Sequence, residues 1–146
     1  MAEEGLRVEI VTPERAVFND VASMVVVPGV IGEMGVLPGH LPLLTAIGMG
    51  DLAVHAHGKV RHFFVEGGYA EILPNKVSVL TEQCDGVDEI DVADARAKLE
   101  EAEKRMTALE ERARTEEVEA DVRARHQDAL ERARKRVLFA QESSKG

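Results

Sequence analysis

Two kinds of hydrophobic pattern divide the chain. In the first part, apolar and polar residues alternate over short segments such as Leu6–Val11, or form short apolar runs such as residues 24–27. These segments are typical of β-strands covered on one face or on both. Over residues 91–140, apolar residues recur at spacings of three and four, without any glycine or proline. That spacing is typical of helices, so the sequence predicts a β module followed by helices.

The first part predicts an all-β fold, because turn residues separate its apolar segments. The five predicted strands lie at residues 6–11, 24–27, 60–65, 69–73 and 76–80. The predicted turns are Pro28-Gly29, Pro38-Gly39, residues 48–51, residues 57–59, Gly67-Gly68 and Pro74-Asn75. Strands that recur roughly every 8–12 residues favour a β-sandwich or a flattened barrel.

The second part predicts an antiparallel helical hairpin. The first helix carries a stripe of Val92, Ala95, Leu99, Ala102, Met106, Leu109 and Ala113. The stripe stops at residues 114–117, where we expect the hairpin to fold or straighten and Thr115 to cap the second helix. The second stripe consists of Val118, Val122, His126, either Ala129 or Leu130, Ala133, Val137 and Ala140. Both stripes are rich in alanine, so we expect docking on other surfaces to decide the conformation of the hairpin.

Charge and composition support two units and exclude several classes of protein. Residues 1–87 carry 11 acidic and 5 basic side chains, whereas residues 88–146 carry 16 and 13. We therefore predict domains at 1–87 and 88–146. A net charge of −9 and an aromatic content of 3% argue against nucleic-acid binding. No apolar run reaches the length of a membrane span, and the polar N-terminus excludes a secretory signal, so any membrane association is expected through partners.

Candidate catalytic residues are few. Cys84 is the one cysteine, which excludes a disulfide within the chain and predicts a half-buried structural thiol.

An alternative hypothesis for the function is a small metal-dependent β-barrel enzyme with a helical oligomerisation tail, in which His55, His57 and His62 would bind the metal. Metal sites in such barrels use a glutamate soon after the second histidine. Here the nearest acidic residue after His57 is Glu66. Exposed polar histidines are therefore favoured. A coiled-coil module that forms a homodimer is a third possibility.

Two segments carry the most specific sequence signal. Residues 32–45 read GEMGVLPGHLPLLT, a loop in which Gly32 and Gly35 permit tight backbone angles and a Pro-Gly turn exposes His40. Residues 66–80 read EGGYAEILPNKVSVL. Together with VEIVTPE at residues 8–14, these blocks resemble the epsilon subunit of rotary ATP synthases, and the resemblance spans nearly the whole chain in the right order.

The resemblance implies a non-catalytic β-sandwich on the central stalk of ATP synthase, without a cofactor or metal. It implies contacts with the gamma subunit and with the ring of c subunits, at the cytoplasmic face of the bacterial inner membrane. By the same resemblance, Gly32, Glu33, Met34 and Gly35 contact the c ring, and His40 lies near gamma. The sequence has no catalytic triad and no phosphate-binding glycine loop, in agreement with a regulatory subunit.

The resemblance also implies that the C-terminal helices inhibit ATP hydrolysis by extending toward the catalytic alpha and beta subunits. Four basic residues would then face acidic segments of those subunits, namely Arg132, Arg134, Lys135 and Arg136. A second interpretation stays open, in which these charges simply complement the C-terminus of a helix.

A nucleotide motif of the family is out of register in this chain. Some relatives bind ATP through an [IL]-D-x-x-R-A motif at the start of the first helix. Here Ile90-Asp91 is present, but the Arg-Ala pair arrives two residues late, as Arg96-Ala97. Two residues rotate a side chain by about 200° around a helix. Asp91 and Arg96 therefore do not share the expected face, which argues against ATP binding.

Overall fold

The computed structural model describes residues 5–143. It divides the chain between Glu89 and Ile90 into two compact units. The unit before this division is built from strands, and the unit after it from two helices. The predicted fold class, a β-sandwich followed by a helical hairpin, is confirmed.

Eight strands form the first unit: β1 Leu6–Val11, β2 Ala16–Ala22, β3 Met24–Pro28, β4 Glu33–Val36, β5 Leu43–Ala56, β6 Lys59–Leu73, β7 Lys76–Thr81 and β8 Cys84–Gly86. The order across the sheet is β2-β1-β7-β6-β5-β3-β4, and β8 pairs with the first half of β6. The strands β1 and β7 run parallel, whereas every other described pair is antiparallel. A 3₁₀ turn, Val87–Glu89, ends the unit.

Two of the predicted turns are wrong. The strand β5 continues through residues 48–51, and β6 continues through Gly67-Gly68 instead of breaking into two strands. The two glycine-containing segments lie opposite each other, since Ile47 pairs with Gly68. Within β6 the buried core side chains change from odd to even positions, from Val65 to Ala70. The glycines therefore mark a bend at which both long strands pass between the layers of the sandwich, rather than a chain reversal.

The core of the sandwich is mainly aliphatic. Its fully buried side chains include Leu6, Val8, Ile10, Val25, Val27, Leu52 and Ile72. Two aromatic rings, Phe18 and Phe63, pack edge to face with their centroids 5.6 Å apart. The guanidinium of Arg61 lies 5.4 and 5.3 Å from these two centroids. Each large buried side chain contributes about 1.5–3 kcal/mol, so alternation along the strands is enough to build this core.

The second unit contains α1 (Val92–Ala113) and α2 (Ala120–Ser143), which pack against each other. Within α1, the seven predicted stripe positions are the residues that are not exposed, so the stripe is confirmed. On α2, Leu130 rather than Ala129 lies on the less exposed face. The predicted cap is wrong, because the Thr115 hydroxyl donates to the carbonyl of Arg112 and so closes α1. The helix α2 begins five residues later.

Candidate functional site

The loop between β3 and β4 presents aliphatic side chains at its tip. Pro28 and Glu33 are paired in register, so residues 29–32 form the connection. A Cβ atom on Gly29 would lie 2.6 Å from the carbonyl oxygen of Gly32, which only glycine avoids. At the tip, Val30 is 67% exposed and Ile31 is fully exposed. The tight closure of the loop therefore pushes two branched apolar side chains to the surface.

The strand β4 then alternates between surface and core. Glu33 and Gly35 are exposed, whereas Met34 is half-buried and packs against the core of the sandwich. Of the four residues for which the resemblance implies a ring contact, Gly32, Glu33 and Gly35 lie at the surface and Met34 serves mainly to hold the strand. The carboxylate of Glu33 thus stands beside the apolar loop tip.

His40 follows a tight turn that is fixed by its neighbours. The amide of His40 donates to the carbonyl of Leu37 at 3.2 Å, and Gly39 has a φ of 88°. Proline followed by a glycine with positive φ is the pattern of a type II turn. The amide of Gly39 also donates to the carbonyl of Pro74 at 2.7 Å. His40 Nδ1 donates to the carbonyl of Leu41 at 2.6 Å.

A row of apolar side chains crosses the outer face of four neighbouring strands. In the sheet register, Val11 of β1 pairs with Leu80, Leu80 pairs with Tyr69, and Tyr69 pairs with Ala46 of β5. Tyr69 is 59% exposed and Leu80 is 58% exposed. We call these four residues the apolar row. Leu44, two positions before Ala46 on the same face, is also exposed.

A groove of about 350 Å³ accompanies the apolar row. It is lined by Val11, Thr12, Pro13, Gly68, Tyr69, Leu80, Thr81 and Glu82. A Cβ atom on Gly68 would lie 2.0 Å from the carbonyl oxygen of Leu80, so glycine is required beside the groove. The hydroxyl of Thr81 donates to the carbonyl of Gly67 at 2.6 Å and holds the backbone there. The groove is thus an open, mainly apolar concave surface whose backbone is held in place at Gly67 and Gly68.

The predicted basic cluster of α2 divides between two sides of the helix. At 100° per residue, Arg132, Lys135 and Arg136 fall within one sector, whereas Arg134 lies on the opposite side. No basic residue lies in the last turn of α2 as the structure describes it. The cluster ends about two turns before the helix does, and a helix dipole acts within its last turn. The interpretation that these charges complement the helix C-terminus is therefore not supported.

The two residues of the displaced nucleotide motif have structural roles. Asp91 is the N-cap of α1, and its side chain accepts from the amides of Ala93 and Asp94. The guanidinium of Arg96 donates to the side-chain oxygen of Gln141 on α2, at 2.6 and 3.1 Å, when the Gln141 amide is oriented to accept. Asp91 thus caps the start of α1, and Arg96 links α1 to α2 through a hydrogen bond.

Comparison with known proteins identifies the family. A family model described as the β-sandwich domain of the ATP synthase delta/epsilon chain matches residues 5–85. The ATP synthase epsilon chain of Nitratidesulfovibrio vulgaris is 41% identical over 135 residues, which cover 92% of this chain and 95% of that protein. The chain belongs to the ATP synthase delta/epsilon family.

Solved structures agree on the fold. A chain in the cryo-EM structure of the mitochondrial ATP synthase (OSCP, F1 and c-ring) of Euglena gracilis matches with a TM-score of 0.72 at 22% identity. The match covers 99% of this chain and 83% of that one. A chain in the central stalk and c-ring structure of the Tetrahymena thermophila mitochondrial ATP synthase matches with a TM-score of 0.63 at 12% identity. The coverage is 96% of this chain and 99% of that one. The two solved chains thus share the fold of this chain.

The family assigns the chain a role as a subunit of ATP synthase rather than as an enzyme with its own active site. The metal-dependent barrel is not supported, because two of the three histidines are engaged with separate acids. His57 Nε2 lies 3.0 Å from Asp20, and His62 Nδ1 lies 2.9 Å from Asp51. The pKa of the Asp20 carboxyl is lowered, first by the hydrogen bond from the backbone amide of Val21 and second by the hydrogen bond with His57.

Two absences apply to residues 5–143 only. Within them, no three histidine, cysteine, aspartate or glutamate side chains are grouped so that they could hold a metal ion. No helix there is long and apolar enough to span a membrane.

Cys84 is buried, and this burial, with the nearby charge of Asp85, raises the pKa of its thiol to about 12. The thiol is therefore more deeply buried than the sequence predicts.

Two features of the site were missed by the sequence analysis. One is the aliphatic loop tip at Val30 and Ile31, and the other is the apolar row. A signal for the apolar row exists in the sequence. Consecutive apolar residues of a strand, such as Val79 and Leu80, face opposite sides of it, so one of the two leaves the core where the strand is covered on one face only, as Leu80 does. Only the structure shows that these outward residues align across four strands.

Proposed function

We propose that this chain is the central-stalk subunit that couples the gamma subunit to the c ring. The observation that carries the proposal is that one rigid sandwich has two separate exposed apolar surfaces, the loop tip beside Glu33 and the apolar row. The names of the relatives and the presence of a c ring in the two solved assemblies support these partners. Two surfaces on one rigid body are what transmission of torque between two partners requires.

The loop tip is the proposed contact with the c ring. Val30 and Ile31 supply apolar area that gains from being covered, at about 25 cal/mol per Å². Glu33 supplies one carboxylate next to it, which can accept hydrogen bonds from polar loops of the ring or pair with a basic residue there. His40 lies at the far end of the same segment, behind the type II turn.

The apolar row is the proposed contact with gamma. Tyr69 and Leu80 pair across β6 and β7, so two exposed apolar side chains lie next to each other on one face of the sheet. An aromatic residue at the centre of such a surface is a frequent anchor of binding energy, and Tyr69 has this position. The groove beside it can accept a partner side chain. We therefore assign gamma to this face and the ring to the loop tip.

Co-purification with gamma tests this assignment. The variants Tyr69→Ser and Leu80→Ser should reduce co-purification at least about tenfold, the effect of losing one anchor worth roughly 1.4–2 kcal/mol. Val60→Ser is the matched control, because Val60 is an exposed aliphatic residue of β6 that lies outside the row. Equal recovery of gamma with all three variants would refute the role of the row.

We further propose that the helical hairpin restrains ATP hydrolysis by engaging the catalytic alpha and beta subunits. Five of its fourteen stripe positions are alanine, so the gain from packing α1 against α2 is modest and other surfaces can compete for the hairpin. The sector formed by Arg132, Lys135 and Arg136 offers positive charge to acidic segments of those subunits. We place the whole subunit at the cytoplasmic face of the bacterial membrane, held there by its partners.

Charge variants and a truncation test the hairpin. Removal of the residues after Glu89 keeps every strand and the 3₁₀ turn, and should raise the hydrolysis rate of the assembled enzyme. The double variant Arg132→Gln, Arg136→Gln should also raise it, whereas Arg134→Gln on the opposite side should not. Unchanged hydrolysis after truncation would refute inhibition by the helices. Equal effects of the charge variants would refute the assigned sector.

A further inference from the structure

An arginine of the β1–β2 turn reaches the end of the sandwich unit. The Nη2 atom of Arg15 lies 2.9 Å from Oε2 of Glu89 and 3.2 Å from the carbonyl oxygen of Cys84, to both of which it donates. Arg15 and Glu89 are 74 positions apart in sequence. The contact therefore joins the first turn of the sandwich to its last residue.

Both ends of this contact are held by further hydrogen bonds. Oε1 of Glu89 accepts from the amide of Gly86 at 3.0 Å, so one carboxylate closes the 3₁₀ turn and binds the arginine. On the other side, the amide of Thr12 donates to the carbonyl of Arg15 at 2.9 Å, and the amide of Arg15 donates to the Thr12 hydroxyl at 3.2 Å. The two side chains are thus positioned before they meet.

The helical unit begins almost immediately after this contact. Asp91, two positions after Glu89, is the N-cap of α1, with an extended backbone at φ −81° and ψ 119°. Ile90 is the one residue between them, and it belongs to neither the 3₁₀ turn nor α1. The link between the two units is therefore anchored by hydrogen bonds at both of its ends.

We infer that the pair Arg15–Glu89 is a clamp that confines the hinge of the protein to Ile90 and Asp91. While the clamp is closed, the 3₁₀ turn moves with the sandwich, and a change of helix position has to use the backbone of these two residues. When the clamp opens, Val87–Glu89 joins the link and lengthens it. Any effect of the clamp on ATP hydrolysis rests on the proposed inhibitory function, whereas the clamp itself is a property of the isolated chain.

The strength of the clamp suits a reversible restraint. The two side chains are 49% and 46% exposed, so water and salt screen their attraction. An ion pair of this kind contributes up to about 1 kcal/mol, which is about fivefold in an equilibrium constant. The clamp can therefore bias the hinge without locking it.

Amide hydrogen exchange of the full-length chain tests the clamp. Arg15→Gln removes the guanidinium, and Glu89→Gln removes the charge but keeps an oxygen for the Gly86 amide. Each variant should speed exchange over residues 86–91 by about fivefold, and the double variant should be no faster than either. Lys59→Gln, at the first residue of β6, is the control for loss of one positive charge and should change nothing over residues 86–91.

Three results would overturn the clamp. One is exchange in Arg15→Gln that equals the Lys59→Gln control. Another is a double variant whose effect is the product of the single effects, because the two side chains would then act independently. The third is faster exchange throughout β1 and β7, because Arg15 would then hold the sandwich rather than the link. If exchange responds as expected while ATP hydrolysis by the assembled enzyme does not change, the clamp stands but takes no part in regulation. Truncation after Glu89 tests the inhibitory function separately.

Discussion

The amide of Gly39 donates to the carbonyl of Pro74 at 2.7 Å, and this bond joins the two most specific segments of the sequence. Gly39 follows β4, the strand that carries Glu33, whereas Pro74 follows β6, the strand that carries Tyr69. The two surfaces to which we assign different partners are therefore part of one hydrogen-bonded framework.

Replacement of Gly39 by alanine should destabilise the sandwich by about 1 kcal/mol. Its φ of 88° lies in the left-handed region, which costs a residue with a Cβ roughly 1–2 kcal/mol. No atom within 4 Å would meet the new methyl group, so the cost is backbone strain alone. Urea unfolding measures it. Gly35→Ala is the matched control, since Gly35 also has open space but no positive φ. Equal stability of the two variants would contradict the type II turn.

Replacement of Gly68 by alanine should be much more harmful than replacement of Gly39. The new Cβ atom would lie 2.0 Å from the carbonyl oxygen of Leu80, in addition to a positive φ of 134°. The strands β6 and β7 would have to separate, so we expect a loss of more than about 3 kcal/mol or failure to fold. Urea unfolding of purified Gly68→Ala measures the loss. A loss under about 1 kcal/mol would show that the bend in β6 tolerates a side chain.

The sequence predicts the class and order of the elements because their causes are local. Alternation along β1 and β7 and the stripe of α1 are fixed by the periods of strand and helix. Gly67-Gly68 was misread as a turn because glycine favours turns and strand bends alike, and only the pairing of β6 with β5 distinguishes them. Thr115 was misread as a cap for a similar reason, since its hydroxyl can close one helix or start another.

The candidate site was predictable where a segment acts alone. Glu33 and His40 stand out in their loop, but the apolar row requires the register of four strands. Val11, Ala46 and Leu80 belong to three different segments, so no window of sequence shows them together. The sequence does not predict the clamp either, because Arg15 and Glu89 are far apart along the chain and come into contact only in the folded sandwich.

The thiol of Cys84 should be unreactive in the folded chain. Burial raises its pKa to about 12, so it stays protonated at pH 8, and the thiolate is the reactive form. A maleimide or disulfide reagent at pH 8 should label the native chain far more slowly than the same chain in guanidinium, where the thiol pKa returns to about 8.5. Labelling at the unfolded rate would contradict the buried position.

Replacement of Asp91 by alanine should destabilise α1 by about 1 kcal/mol, because two amides at the helix start lose their acceptor. Asp91→Asn should retain most of the stability, since its side-chain oxygen can still accept. Helical circular dichroism during thermal unfolding measures both.

The same measurement with millimolar ATP should show no stabilisation of the wild-type chain, because Asp91 and Arg96 serve the hairpin. A clear rise in the unfolding temperature with ATP would restore nucleotide binding to this pair.

The most direct test of the coupling role is the number of protons pumped per ATP hydrolysed by the reconstituted enzyme. The double variant Ile31→Ser, Glu33→Gln alters the proposed ring contact at exposed positions and leaves the core untouched. Lys59→Gln, at the exposed start of β6, is the control. Our account predicts that the loop variant hydrolyses ATP but pumps fewer protons per ATP than the control. An unchanged ratio would contradict the assignment of the loop tip to the c ring.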